Sequence, residues 1–196
     1  MAVLFWVRQP WLIPARVKYW VWERRNPDKP WLCPGTVAFC EATLTKSMKV
    51  LEFGSGRSTR WFAQLAGHVT SVEHDSTWYC EVQQQLAQAH ITNVEYLNVA
   101  LEPEPVSEER SDQRIPKYVA VADRFADQSL DLIIVDGKYR SICIRHAKRK
   151  LAPGGYLLVD DAERWPSLAA LDVPPGWRVV DDSTNGLKRC VIWQAP

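Results

Sequence analysis

Residues 50–63 read VLEFGSGRSTRWFA, and the fold is decided there. Val50, Leu51 and Phe53 form an apolar run that ends at Gly54. Gly56 follows, and a helix is predicted from Ser58 to Ala66, stopped by Gly67. A strand passing through a glycine turn into a helix is the opening unit of a doubly wound α/β sheet. The start of such a helix presents N–H groups and a positive dipole end, so an anionic group is expected there. Glu52, two residues before the first glycine, argues against a phosphate as that group. A carboxylate beside a dianion is repulsive in a partly buried site, and Thr59 stands where a dinucleotide fingerprint has its third glycine. A zwitterionic amino-acid end fits better. Its ammonium can meet Glu52, and its carboxylate can take N–H groups and the hydroxyls of Ser55, Ser58 and Thr59.

The rest of the chain repeats the pattern. A short helix is predicted from Pro34, a residue suited to a first helical turn. HVTSVEH (68–74) reads as a second strand, and Asp75 caps a helix in which Trp78, Val82 and Leu86 recur every four residues. VEYLNVA (94–100) and LDLIIVDG (130–137) read as the third and fourth strands, the latter apolar as a central parallel strand should be. Residues 140–151 read as a basic helix, with Lys138, Arg140, Arg145, Lys148, Arg149 and Lys150 mainly on a solvated face. APGG (152–155) then turns the chain into YLLVDD, the fifth strand. Near the end, two alternating runs flank Asn185–Gly186, a strong hairpin signal. The polar, proline-bearing residues 101–117 read as a long loop. The fold predicted is thus a mostly parallel, doubly wound sheet with a C-terminal antiparallel hairpin.

Glu73 closes the second strand 21 residues after Glu52. An acid at about this spacing reaches ribose hydroxyls in doubly wound folds, and His74 can stack or bond beside it. VLEFGSGRST, VTSVEHD, LDLIIVDG and LAPGGYLLVDD together resemble the successive motifs of class I S-adenosylmethionine-dependent methyltransferases. The resemblance covers residues 34–196 and implies a seven-stranded sheet whose last two strands form the hairpin. It implies S-adenosylmethionine as cofactor, held at Glu52, Gly54, Ser55, Gly56 and Glu73, with Ser58, Thr59 and His74 nearby. It also implies an acceptor site over the ends of the fourth and fifth strands. Asp136 and Asp160 are the candidate catalytic bases there, and Lys138, Tyr139, Arg140 and Asp161 the candidate acceptor contacts. Asp136, Asp160 and Asp161 could also coordinate a divalent cation, as the catechol-type O-methyltransferases do with an Asp and an Asp-Asn pair. The expected activity is O- or N-methylation of a small polar acceptor.

Two other classes stay open. A nicotinamide-dependent oxidoreductase would need pyrophosphate at Gly54–Gly56, against Glu52. A non-catalytic module would keep the fold and bind a partner through its N-terminus. Residues 1–33 differ from the rest. They contain Trp6, Trp11, Trp20, Trp22 and Trp31, half of the chain's ten tryptophans, interleaved with Arg and Lys. This extension reads as a lid over the cofactor, a homodimer contact or an interfacial segment. The tryptophans are expected to be buried against the domain or a second subunit. Tryptophan with Arg and Lys suits a membrane interface, but QPWLIP (9–14) is expected to break any long amphipathic helix, which argues against membrane contact. A net charge of +1 gives no general pull toward nucleic acid, and none is expected as a partner. Five scattered cysteines without a CxxC predict neither a disulfide framework nor a zinc site, and favour a cytoplasmic setting.

Overall fold

A computed structural model describes residues 10–102 and 114–196. Seven strands form one sheet in the order β3-β2-β1-β4-β5-β7-β6. They are β1 (Lys49–Phe53), β2 (His68–Glu73), β3 (Val94–Asn98), β4 (Leu130–Val135), β5 (Leu151–Val159), β6 (Arg178–Thr184) and β7 (Arg189–Gln194). Strands β1 to β5 pair in parallel, whereas β7 runs antiparallel to both β5 and β6. The helices are α1 (Ile13–Arg25), α2 (Pro34–Thr43), α3 (Arg57–Leu65), α4 (Ser76–Gln88), α5 (Lys117–Ala120) and α6 (Arg140–Ala147).

The pleat sorts the core. Leu51 and Phe53 of β1 join Ile133, Val135, Leu157 and Val159 against Ile142, Cys143 and Ala147 of α6. Val50, Leu132, Ile134 and Leu158 face the other way, onto Trp61, Phe62 and Ala63 of α3 and Val37 and Cys40 of α2. With a period of two, Glu52 falls on the α3 side. The hairpin forms at Asn185–Gly186 as predicted. Asn185 Oδ1 accepts from the Leu187 and Lys188 N–H groups at 2.9 and 3.0 Å. All five cysteines are free thiols.

The structure bears on three expectations. The helix predicted over 140–151 ends at Ala147, residues Lys148–Lys150 form a 3-10 turn, and Leu151 already belongs to β5. APGG therefore lies inside the strand. Gly154 at φ +77° takes up a register shift between Leu130 and Leu132. Second, α1 begins within QPWLIP, at Ile13, after a 3-10 turn over Pro10–Leu12. Pro14 occupies its first turn, where a missing N–H costs nothing, so the prolines start the helix instead of breaking it. Third, the tryptophans are not uniformly covered by this chain. Trp22 packs on the core and Tyr19 beside it is buried, but Trp11, Trp20 and Trp31 are exposed. Trp6 and most of the loop predicted over 101–117 lie outside the described residues. Among the described residues, no helix is long and apolar enough to cross a membrane.

Candidate active site

The site is set by the glycine turn after β1. Gly54 has φ +93°, a region L side chains seldom adopt, and a Cβ there would sit 2.6 Å from the Gly137 nitrogen. The turns after β1 and β4 thus touch through backbone alone. A cleft of about 530 Å³ opens over these strand ends. Gly54, Ser55, Glu73, His74, Asp75 and Trp78 line one part of it, and Asp136, Gly137, Lys138, Arg140 and Arg164 the other.

Glu73 is the hub of the first wall. Its Oε1 accepts the His74 and Asp75 backbone N–H groups, both at 2.8 Å, and lies 2.7 Å from His74 Nδ1. Its Oε2 accepts the Ser55 N–H and hydroxyl, both at 3.1 Å. Ser55 Oγ is also 2.5 Å from the Tyr96 hydroxyl, and Trp78 Nε1 donates to the Ser55 carbonyl at 2.9 Å. Burial pushes the Tyr96 phenol well above its usual pKa, so it stays a neutral partner for Ser55. Asp75 caps α4 as predicted, accepting from Thr77 and Trp78 N–H at 2.9 Å, and those bonds hold its pKa down.

Glu52 does not face this cleft. It is fully buried beneath the turn, and Ser58, Thr59 and Ser71 hydroxyls all donate to its carboxylate at 2.6 Å. Ser71 is its register partner on β2, and the other two residues begin α3. Burial raises the Glu52 pKa, with the three hydroxyl bonds pulling the other way. The expected contact between Glu52 and a ligand ammonium is therefore corrected: no surface of Glu52 is open to one. Thr59 is likewise buried, and its Oγ1 also accepts the Gly56 N–H at 3.0 Å, whereas Ser58 is half-buried and lines a small pocket beside Ser55 and Asp136.

On the second wall, Asp136 lines the cleft. Burial first, and then the Asp160 charge, push its pKa up to about 8, against the opposing pull of Arg140 and Lys188. Asp160 points elsewhere. Its Oδ2 accepts Lys188 Nζ at 2.5 Å and its Oδ1 accepts the Cys190 thiol at 2.8 Å, all in the interior beside β7. Burial would lower the Lys188 pKa, but Asp160 outweighs it and keeps the ammonium charged. Asp160 is thus corrected from catalytic base to half of an internal ion pair. Arg140 lines the cleft, and its guanidinium is engaged within the fold. Its guanidinium donates to Asp136 Oδ1 at 3.0 Å, to Asp161 Oδ2 at 3.1 Å, and to the carbonyls of Asp136, Gly137 and Asp160. That set clamps the ends of β4 and β5 together. Asp161 further accepts Arg164 at 2.5 Å. Tyr139 packs against the core and is not among the cleft-lining residues. Lys138 is exposed at the rim.

Oxygens of Asp136, Asp160 and Asp161 come within 4.8 Å of one another. The donor set does not fit a divalent cation, because Arg140 bridges Asp136 and Asp161 and Lys188 occupies Asp160. The protein supplies its own cations there. Sequence reasoning missed Lys188, Tyr96, Trp78 and Arg164 as parts of this region. The basic residues after β4 are largely paired at the surface, Lys148 with Asp172 and Arg149 with Asp123.

Residues 51–162 match the family model described as "Methyltransferase domain". Among solved structures, a methyltransferase-like protein from Silicibacter pomeroyi is similar at TM-score 0.60 and 22% identity, over 85% of this chain and 88% of that one. An rRNA methylase from Streptococcus thermophilus is similar at TM-score 0.59 and 15% identity, over 81% and 92%. A methyltransferase structure from Streptococcus mutans, in complex with SAH, is similar at TM-score 0.55 and 12% identity, over 80% and 93%. At such identities the likeness carries the fold alone. No curated protein matches the chain.

Proposed function

The chain belongs to the class I S-adenosylmethionine-dependent methyltransferases, and from that premise we propose that it methylates an oxygen or nitrogen of a small polar acceptor, with S-adenosylmethionine as donor. The observation that carries this reading is Glu73, set at the end of β2 against the glycine turn and facing a cleft whose far wall holds Asp136. When bound, the cofactor supplies an activated methyl group, so the protein need only orient and desolvate the reactants.

Glu73 accepts the ribose hydroxyls. The Ser55 hydroxyl is the adjustable part of that contact: bonded to both Glu73 and Tyr96, it can turn to Tyr96 and leave Glu73 Oε2 for the ligand. His74 and Trp78 flank the same end of the cleft. Glu52 acts from below as a positioning residue. By gathering hydroxyls from β2 and the first turn of α3, it fixes the helix start on which Gly54–Gly56 stand. On the acceptor side, Arg140 holds Asp136 Oδ1 and leaves Oδ2 to take a proton from the acceptor. A base with a pKa near neutrality is well matched to that task. Lys138 and Arg164 meet an anionic group on the acceptor.

Calorimetry with S-adenosylmethionine, S-adenosylhomocysteine and NAD tests the cofactor reading. The first two should bind and NAD should not; tight NAD binding with none of the others would sink it. Transfer of a labelled methyl group to small-molecule and RNA fractions tests the acceptor. Label appearing only in RNA would remove the small-acceptor assignment and leave the cofactor site standing.

A further inference from the structure

Helix α1 carries apolar side chains on two opposite sides. At about 100° per residue, Tyr19 and Trp22 share the side that packs on the domain, where the Tyr19 hydroxyl donates to the Leu32 carbonyl at 3.2 Å. Ile13, Val17 and Trp20 share the other. They are 46%, 54% and 43% exposed, and Trp11 in the preceding turn is 69% exposed. No described residue covers this second stripe.

Its surroundings are basic. Glu23 is the first acid of α1, and Arg16 and Lys18 precede it on the helix. Glu23 itself is paired with Arg16 at 3.0 Å. The Arg24 guanidinium lies over the Trp20 ring, 4.1 Å from its centroid, where it continues the stripe. Arg24, Arg25 and Lys18 are exposed.

We infer that this face of α1 docks on an anionic lipid surface. Three features of the face select that partner. The aliphatic Ile13 and Val17 gain only by leaving water, which an acyl boundary provides and a phosphate backbone does not. Tryptophan settles at the headgroup level, where its ring is apolar and its N–H is wet. The surrounding cations Lys18, Arg24 and Arg25 complement anionic headgroups. At 13 residues, about 20 Å, α1 would lie in the interface plane and not span it. The break expected at QPWLIP falls at the start of α1, which runs without interruption from Ile13 to Arg25.

Flotation of the full chain with vesicles of phosphatidylcholine and phosphatidylglycerol at about 7:3, against phosphatidylcholine alone, tests this. The chain should float with the anionic vesicles only, and raised salt should release it. Val17→Glu with Trp20→Glu should lower the partition coefficient at least tenfold, with melting temperature and S-adenosylhomocysteine affinity unchanged because both sites are exposed. Arg24→Glu should weaken binding while leaving the aliphatic stripe in place. Three results overturn the inference: no flotation with anionic vesicles, flotation undiminished in the double variant, or a dimer in sedimentation velocity that the double variant dissolves while vesicles are ignored.

Discussion

Replacing Glu73 by glutamine keeps the side-chain volume and removes one of two acceptor oxygens. In the native site those oxygens serve the His74 and Asp75 N–H groups on one side and the Ser55 N–H and hydroxyl on the other. The two N–H groups after β2 belong to fixed backbone, so the glutamine oxygen should stay with them. Its NH₂ then faces the Ser55 N–H, donor against donor, at the residue that follows Gly54. Ser55 Oγ can reverse and accept, but its backbone N–H cannot. One part-buried N–H left without an acceptor costs about 1–3 kcal/mol, which for a chain of this size is a fall of about 2–12 °C in melting temperature. The ligand loses more. Ribose bonds to an ionised acceptor are worth about 1.5–3 kcal/mol and those to a neutral one about 0.5–1.5, so affinity for S-adenosylhomocysteine should drop roughly 5- to 30-fold. Calorimetry gives the affinity and a ligand-free thermal melt gives the loosened turn. Affinity within about threefold of wild type, together with an unchanged melt, would refute both the ribose role and the hub role of Glu73.

Lys188→Met should leave Asp160 charged and buried with only the Cys190 thiol beside it, at a cost of about 3–5 kcal/mol; adding Asp160→Asn should restore most of that stability. A single variant that melts with wild type would show the pair to be inert. Asp136→Asn tests the raised carboxyl: with a folded pKa of about 8 against an ordinary 3.8, the folded state binds more protons between those values. Its stability contribution is therefore lost as pH rises through the window, so the asparagine variant should gain on wild type from about pH 4 to about pH 8. A stability difference independent of pH would contradict the assigned shift. Gly54→Ala should cost about 1–3 kcal/mol and weaken cofactor binding, because its Cβ meets the Gly137 backbone. Gly56→Ala, whose Cβ would find only Trp78 at 3.8 Å, should be milder, and equal behaviour of the two would refute the close-approach argument.

The fold was legible because its signals are local. Glycine at the turn, apolar runs in β1 and β4, Asp75 ahead of α4 and Asn185–Gly186 between alternating runs each depend on neighbours a few residues away. Where the reading failed, two local signals competed. APGG is a turn signal, yet here it sits within β5, because pairing with β4 begins at Leu130↔Leu151 and tolerates a bulge. QPWLIP resembles a helix breaker, but a proline in the first helical turn breaks nothing. Aromatic residues predict burial only when an apolar surface is available to receive them, and the body of this chain receives Tyr19 and Trp22 alone from α1.

The cofactor wall and the acceptor wall differ in what sequence could say of them. Glu73, Ser55 and His74 meet because β2 is parallel to β1 and ends beside the turn, which follows once the two strands are placed. Glu52 could have been placed too. Alternation along β1 puts it with Val50, on the side of α3, and the hydroxyls of Ser58 and Thr59 then lie within its reach. The carboxylate is therefore the floor of the site and not a ligand contact, and the absence of phosphate chemistry cannot be argued from its charge at the surface of the cleft. Asp160 needed a longer inference. The register Val159↔Val191 between β5 and β7 sets Cys190 directly beside Asp160 and brings the start of β7, with Lys188, over the same point. Only the antiparallel insertion of β7 next to β5 turns an acid at a strand end into an interior ion pair. Asp136 is left facing the cleft, where burial first and the neighbouring Asp160 charge second raise its pKa.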